Sequence, residues 1–74
     1  MLEKIRELIC EFVDVDPASI TENSLIRSDI SMNSLDVINL AVALEDEFGI
    51  SVPDNVAASF NTVGDIIVYI ENNK

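Results

Sequence analysis

Histidine and tryptophan are absent from this 74-residue chain, cysteine occurs once, glycine and proline twice each, and only four bases stand against fourteen acids. With Cys10 alone and no histidine, neither an internal disulfide nor a His/Cys metal cage can form. The missing histidine also removes the usual base for a serine nucleophile, so hydrolase chemistry is not expected and the chain reads as a non-enzyme. Gly49 and Gly64 are too few and too far apart for a glycine-rich phosphate cradle. Asp14 and Asp16 begin like a calcium loop, but Ala18, Ser19 and Leu25 occupy the positions where oxygen ligands and a sharp-turn glycine belong, so no metal site is predicted. The shortage of bases argues against nucleic acid, whose phosphates must be neutralised. No apolar run approaches the ~20 residues that cross a bilayer, so membrane insertion is not expected. Residues 1–4 lack the pattern of a signal peptide, and the expected location is the cytoplasm.

What is present argues for folding. The formal charge is −10, yet 49% of residues are hydrophobic and the mean hydropathy is +0.30. A disordered acidic tail is poor in apolar residues; this chain is not. One small domain spanning residues 1–74 is expected, marginal in size and burdened by self-repulsion among its acids.

Leu2, Ile5, Leu8, Ile9 and Phe12 recur at helical spacing and predict a first helix over residues 2 to 14, stopping before Pro17. Cys10 lies off that stripe and reads as a bystander. Residues 15 to 33 form a long connection rich in turn formers, in which Ile20, Leu25, Ile26 and Ile30 are candidates to pin the loop to the core. Asn33 is a good N-cap, and Leu35 to Phe48 follow without glycine or proline until Gly49 supplies a stop. A short third segment runs from Asn55 to about Ser59. Thr62-Val63-Gly64-Asp65 resembles a capping box and opens a last helix that frays into Asn72-Asn73-Lys74. The fold class is all-α: a small bundle of three main helices and one short one.

The second helix carries two apolar groups. With ~100° per residue, Val37, Ala41, Leu44 and Phe48 form one stripe, and Leu35, Ile38 and Val42 fall on another side. Either both belong to a wide core stripe, or the second group is a strip facing a partner, bordered by Asp36, Asn39 and Asp46. Between Arg27 and Lys74 there is no base at all, which favours positively charged protein partners.

Asp29-Ile30-Ser31-Met32-Asn33-Ser34-Leu35-Asp36, then Leu40, Leu44, Glu45-Asp46-Glu47-Phe48, Val52-Pro53-Asp54, Thr62-Val63 and Tyr69-Ile70, resembles the acyl carrier proteins along essentially the whole chain. The resemblance implies the family's helical bundle and a serine that is an attachment point rather than a nucleophile. Ser34 is the matching residue, and the cofactor implied is covalent 4′-phosphopantetheine, placed there by a phosphopantetheinyl transferase. The partners implied are that transferase and acyl-transferring enzymes with basic surfaces, met through Leu35, Asp36, Ile38, Asn39, Val42 and Asp46. The physics of the site agrees, because a helix N-terminus favours a phosphodiester; read without the family, Ser34 merely shares the cap with Asn33.

Three positions depart from the family pattern: Asn33 stands where Asp is usual, Asn39 where Glu is frequent and Ser31 where Gly is. They suggest a specialised carrier or a narrower choice of transferase. The expectation is a discrete, monomeric carrier of thioester intermediates in fatty acid, polyketide or related biosynthesis. The weakly structured segments 15–33 and 49–61 would part to admit an acyl chain near Leu44 and Ile66. The alternatives are an unmodified acidic helical module and a carrier for an amino acid such as D-alanine.

Overall fold

In the computed structural model, which describes residues 1–73, four α-helices follow one another: α1 (Leu2–Cys10), α2 (Ser34–Phe48), α3 (Asp54–Ser59) and α4 (Val63–Asn73), with a 3-10 turn at Pro17–Ser19. No strand is formed among the described residues; Leu25 and Thr62 make one isolated antiparallel bridge. Three longer helices and one short one match the expected bundle.

One cluster of buried side chains holds the bundle together. Ile5, Leu8 and Ile9 come from α1, Val37, Leu40, Ala41 and Leu44 from α2, and Val63, Ile66, Ile67 and Ile70 from α4. Each of these isoleucine, leucine and valine side chains contributes about 1.5–3 kcal/mol when it leaves water. The long connection supplies Ile20, Ile26, Ile30 and Met32, all buried. Three of the four anticipated anchors therefore pin the loop. Leu25 does not; it is 46% exposed, and its place is taken by Met32, which alternates with Ile30 across the exposed Ser31.

The first helix is shorter than its periodicity predicts. It ends at Cys10, and the chain tightens as Glu11 and Phe12 donate to the carbonyls of Leu8 and Ile9, three residues back. The residues beyond favour this ending. Val13 and Val15 are β-branched, Asp14 is a weak helix former, and Pro17 holds Asp16 extended (φ −68°, ψ 117°). Asp16 then caps the 3-10 turn through the Ala18 amide at 3.0 Å, a structural task for a residue that superficially suggested calcium. Cys10 is half-buried rather than turned fully outward, and its thiol donates to the Val15 carbonyl at 3.4 Å.

The loop and the α3–α4 junction run past each other as a short antiparallel ribbon. The Ile26 amide donates to the Asn61 carbonyl (2.9 Å), Val63 to Ser24 (3.1 Å) and Gly64 to Glu22 (2.8 Å). A Cβ at position 64 would lie 3.1 Å from the Glu22 carbonyl oxygen, a tight approach that glycine relieves. At the start of α4, Thr62 and Asp65 form the anticipated reciprocal cap: the Asp65 amide donates to Thr62 Oγ1 (3.2 Å) and Asp65 Oδ2 accepts from the Thr62 amide (3.1 Å). The far end of α4 does not fray at Asn72 and Asn73. Both are helical, and Asn73 Nδ2 donates to the Tyr69 carbonyl at 2.7 Å. Lys74 lies outside the described residues.

Candidate functional site

The start of α2 is fixed by a full capping box. Asn33 is extended (φ −88°, ψ 178°); its side chain accepts from the Asp36 amide at 2.8 Å, and Asp36 Oδ2 accepts in return from the Asn33 amide at 3.2 Å. A cap of this kind contributes about 1 kcal/mol to a helix. Ser34 is the first helical residue, so the cap belongs to its neighbours on either side and not to its own hydroxyl. The side chain is exposed. Helix geometry leaves the Ser34 and Leu35 amides without an intrahelical acceptor, and the macrodipole adds partial positive charge there. A hydroxyl presented beside such amides can carry a phosphodiester, so the residues present fit a phosphate-linked prosthetic group.

The approach to the serine is also tightly built. Asp29 Oδ2 accepts from the Leu25 amide at 2.8 Å, while the Asp29 and Ile30 amides both donate to the Leu25 carbonyl. Ser31 adopts φ +65°, the left-handed conformation, with a side chain that has to tolerate it. Buried Met32 then delivers the chain to Asn33. A glycine at 31 would take that turn without steric penalty, which is the physical content of the departure at this position.

Along α2 the two apolar groups separate cleanly. Val37, Leu40, Ala41 and Leu44 are all at most 3% exposed. Leu35 is 66% and Val42 53% exposed, with Ile38 half-buried between them. A wide core stripe is thereby ruled out. Asn39 and Asp46 are exposed beside the strip, and Asp36 is half-buried because of its capping role. Glu45 turns differently from its acidic neighbours. Its carboxylate accepts from the buried Val52 amide at 2.7 Å and ties α2 to the segment before α3.

The arginines have structural partners that the sequence did not disclose. Arg6 Nε donates to the Ile20 carbonyl at 2.8 Å, and Arg27 Nη1 to the Phe60 carbonyl at 3.1 Å. Lys4 pairs with Glu7 at 3.1 Å, and that hydrogen bond, with the nearby Glu47 charge, raises its pKa above 10.5. Arg6 and Arg27 are thus engaged with backbone carbonyls, while Lys4 lies close enough to Glu47 of α2 to feel its charge. Among the described residues there is no cluster of three or more acids, cysteines or histidines able to hold a metal, and no helix long and apolar enough to cross a membrane.

Comparison with known proteins gives the arrangement a context. The family described as "Phosphopantetheine attachment site" matches residues 3–70. The acyl carrier protein of Wolinella succinogenes is 40% identical over 74 residues, covering all of this chain and 97% of that protein. The acyl carrier protein of Helicobacter pylori strain G27 is likewise 40% identical, over all of this chain and 95% of its own length. A solved structure assigned to the acyl carrier proteins, from Mycobacterium tuberculosis, superposes with a TM-score of 0.84 at 30% identity and covers 97% of both chains. Such proteins are carriers rather than catalysts. Their prosthetic group is 4′-phosphopantetheine, and they meet a phosphopantetheinyl transferase and acyl-transferring enzymes. With a family match across most of its length and relatives aligned end to end, the chain belongs to the acyl carrier protein family.

Proposed function

We propose that Ser34 is the residue to which 4′-phosphopantetheine is joined, and that the protein shuttles acyl intermediates of fatty acid, polyketide or related biosynthesis in the cytoplasm as a monomer. The observation that carries this reading is the exposed hydroxyl at the first residue of α2, beside a cap built entirely by Asn33 and Asp36. When bound, the group supplies a terminal thiol on which cargo is held as a thioester. The chain's own part is to present the attachment point and its helix N-terminus, and to offer a docking surface. Leu35, Ile38 and Val42 form the apolar centre of that surface, with Asp36, Asn39 and Asp46 at its margin. Anchors of this spacing inside a polar rim suit transient docking, and the surrounding negative field speeds encounter with basic enzymes.

The protein is incubated with coenzyme A and a broad-specificity transferase, and its intact mass is followed. A phosphopantetheine gain that disappears completely in Ser34→Ala is expected, with the thermal unfolding of the variant unchanged. If several transferases add nothing to the native chain, the carrier reading fails and an unmodified acidic module replaces it. Loading with D-alanine instead of an acyl group would identify an amino acid carrier.

A further inference from the structure

Arg27 is the one base of the long connection, and its surroundings give its charge no partner acid. Among the described residues the only ion pair joins Lys4 to Glu7, and Arg6 is half-buried against the Ile20 carbonyl. Arg27 is exposed, and its bond to the Phe60 carbonyl at 3.1 Å leaves guanidinium donors to spare. The acids built into the same region are committed elsewhere. Asp29 Oδ2 accepts from the Leu25 amide at 2.8 Å, and Asp65 Oδ2 from the Asn61 and Thr62 amides. Beside the guanidinium lies a hollow of about 240 Å³, lined by Leu25, Arg27, Ser28 and Asn61. Leu25, 46% exposed, is its apolar wall. A cation flanked by an apolar wall and two polar side chains suits a carboxylate-bearing side chain.

This cation stands near the start of α2. The Met32 amide donates to the Ile26 carbonyl at 3.1 Å, so the turn bearing Arg27 closes two residues before Ser34. With about 3.8 Å between consecutive Cα atoms, residues 27 and 34 are at most ~15 Å apart. A specific protein partner covers about 800 Å² on each side, a patch of ~16 Å radius. An enzyme docked around Ser34 therefore has Arg27 within reach of its footprint. Resting on the carrier reading above, we infer that Arg27 is a specificity-determining residue of the docking surface, and that its hollow seats an aspartate or glutamate side chain of the cognate enzyme. A negative face carrying one cation is matched by a basic surface carrying one acid. An enzyme that brings lysine or arginine to this spot meets like charge and is disfavoured.

The full chain is incubated with coenzyme A and a broad-specificity transferase whose docking face is basic, and kcat/KM is followed by intact mass. Arg27→Gln should raise kcat/KM about threefold at low salt, and Arg27→Glu by about the square of that, roughly tenfold, as expected for like charges ~7 Å apart in a high dielectric. Both gains should fall below about twofold in ~0.5 M sodium chloride. Arg27→Lys, which keeps the charge and gives up the guanidinium fork, should stay native. Each base on the transferase's docking face is then replaced in turn by glutamate. One such variant should reverse the order and prefer the native chain to Arg27→Glu. Rates untouched by Arg27→Glu, an equal change in Arg27→Lys, or no reversing variant overturns the inference and leaves the carrier reading standing. If no transferase modifies the native chain, the carrier reading is what fails, and amide proton relaxation by cationic and anionic nitroxides decides the charge of the hollow. The cation-to-anion ratio at Leu25 and Ser28 should lie at least about twofold below that at Asn39 and Asp46, with the difference lost in Arg27→Gln. Equal ratios in the native chain overturn the inference.

Discussion

Leu44 and Val42 stand two residues apart on α2 and differ by little more than one methylene, yet one is 1% exposed and the other 53%. The two faces of this helix carry similar side chains at opposite exposure. One face, Val37, Leu40, Ala41 and Leu44, is the centre of the bundle. The other, Leu35, Ile38 and Val42, leaves apolar surface in water on the helix that Ser34 opens. Apolar character by itself therefore does not report burial on this helix; only its angular position relative to the other elements does. Exposed leucine and valine on the helix that Ser34 opens are what the proposed docking surface requires outside the bundle's own core.

Substitutions matched across the two faces sharpen that contrast. Leu44→Ala removes a fully packed side chain and should lower stability by about 2–5 kcal/mol in chemical denaturation, a large share of what so small a domain possesses. Leu35→Ser and Val42→Ser should each shift stability by less than about 0.5 kcal/mol. The same two changes should weaken docking to an acyl-transferring enzyme by roughly tenfold each, as loss of an interface anchor does, with the affinity read by titration calorimetry. A destabilisation of several kcal/mol from Val42→Ser, or native affinity in both serine variants, would break the division into a core face and a partner face.

A smaller effect concerns the turn that delivers Ser34. Ser31 holds φ +65°, where a side chain costs roughly 1–2 kcal/mol relative to glycine. Glycine gives part of this back by enlarging the freedom of the unfolded chain, an effect of about 0.4–1 kcal/mol. Ser31→Gly is thus expected to raise stability by about 0.5 kcal/mol, seen as a shifted denaturation midpoint with an unchanged slope. Unaltered or reduced stability would mean that the serine side chain recovers the conformational penalty through contacts of its own.

Much of this architecture was readable from local signals. Asn33, Gly49 and the Thr62/Asp65 pair mark helix ends because each satisfies specific backbone groups, and all three act at those positions. Gly49 takes φ +66° at the C-cap of α2, and its amide bonds to the Glu45 carbonyl. The exposed strip was legible as a second apolar face, though periodicity alone could not say which face would be buried. Local pattern failed where tertiary geometry decides. The first helix carries Phe12 in register but stops at Cys10, since the turn toward Pro17 and the 3-10 segment competes with propagation. Leu25 is exposed where burial was expected, at the point where the isolated bridge to Thr62 holds the loop, and Met32 is buried without having been singled out. Arg27 and Phe60 are 33 residues apart, and nothing in either neighbourhood signals that they meet.

The smallest effect sets a cap at the start of α4 against the buried contacts that hold the rest of that helix. Asp65 Oδ2 accepts from the Asn61 amide at 2.9 Å and from the Thr62 amide at 3.1 Å, and these bonds to the charged form lower its pKa below the ordinary 3.8. A carboxyl with a depressed folded pKa adds stability that is fully present well above 3.8. That contribution is lost as pH falls through 3.8 and on through the lower folded value, because the unfolded chain binds the proton first. The group is almost wholly solvent-facing, so screening keeps the effect modest. Asp65→Asn should therefore flatten the acid limb of the stability profile below about pH 4 while leaving the response of α4 to denaturant at neutral pH nearly native. Parallel acid limbs for the native chain and the variant would show that the buried side chains of α4, and not its cap, govern how this helix responds to acid.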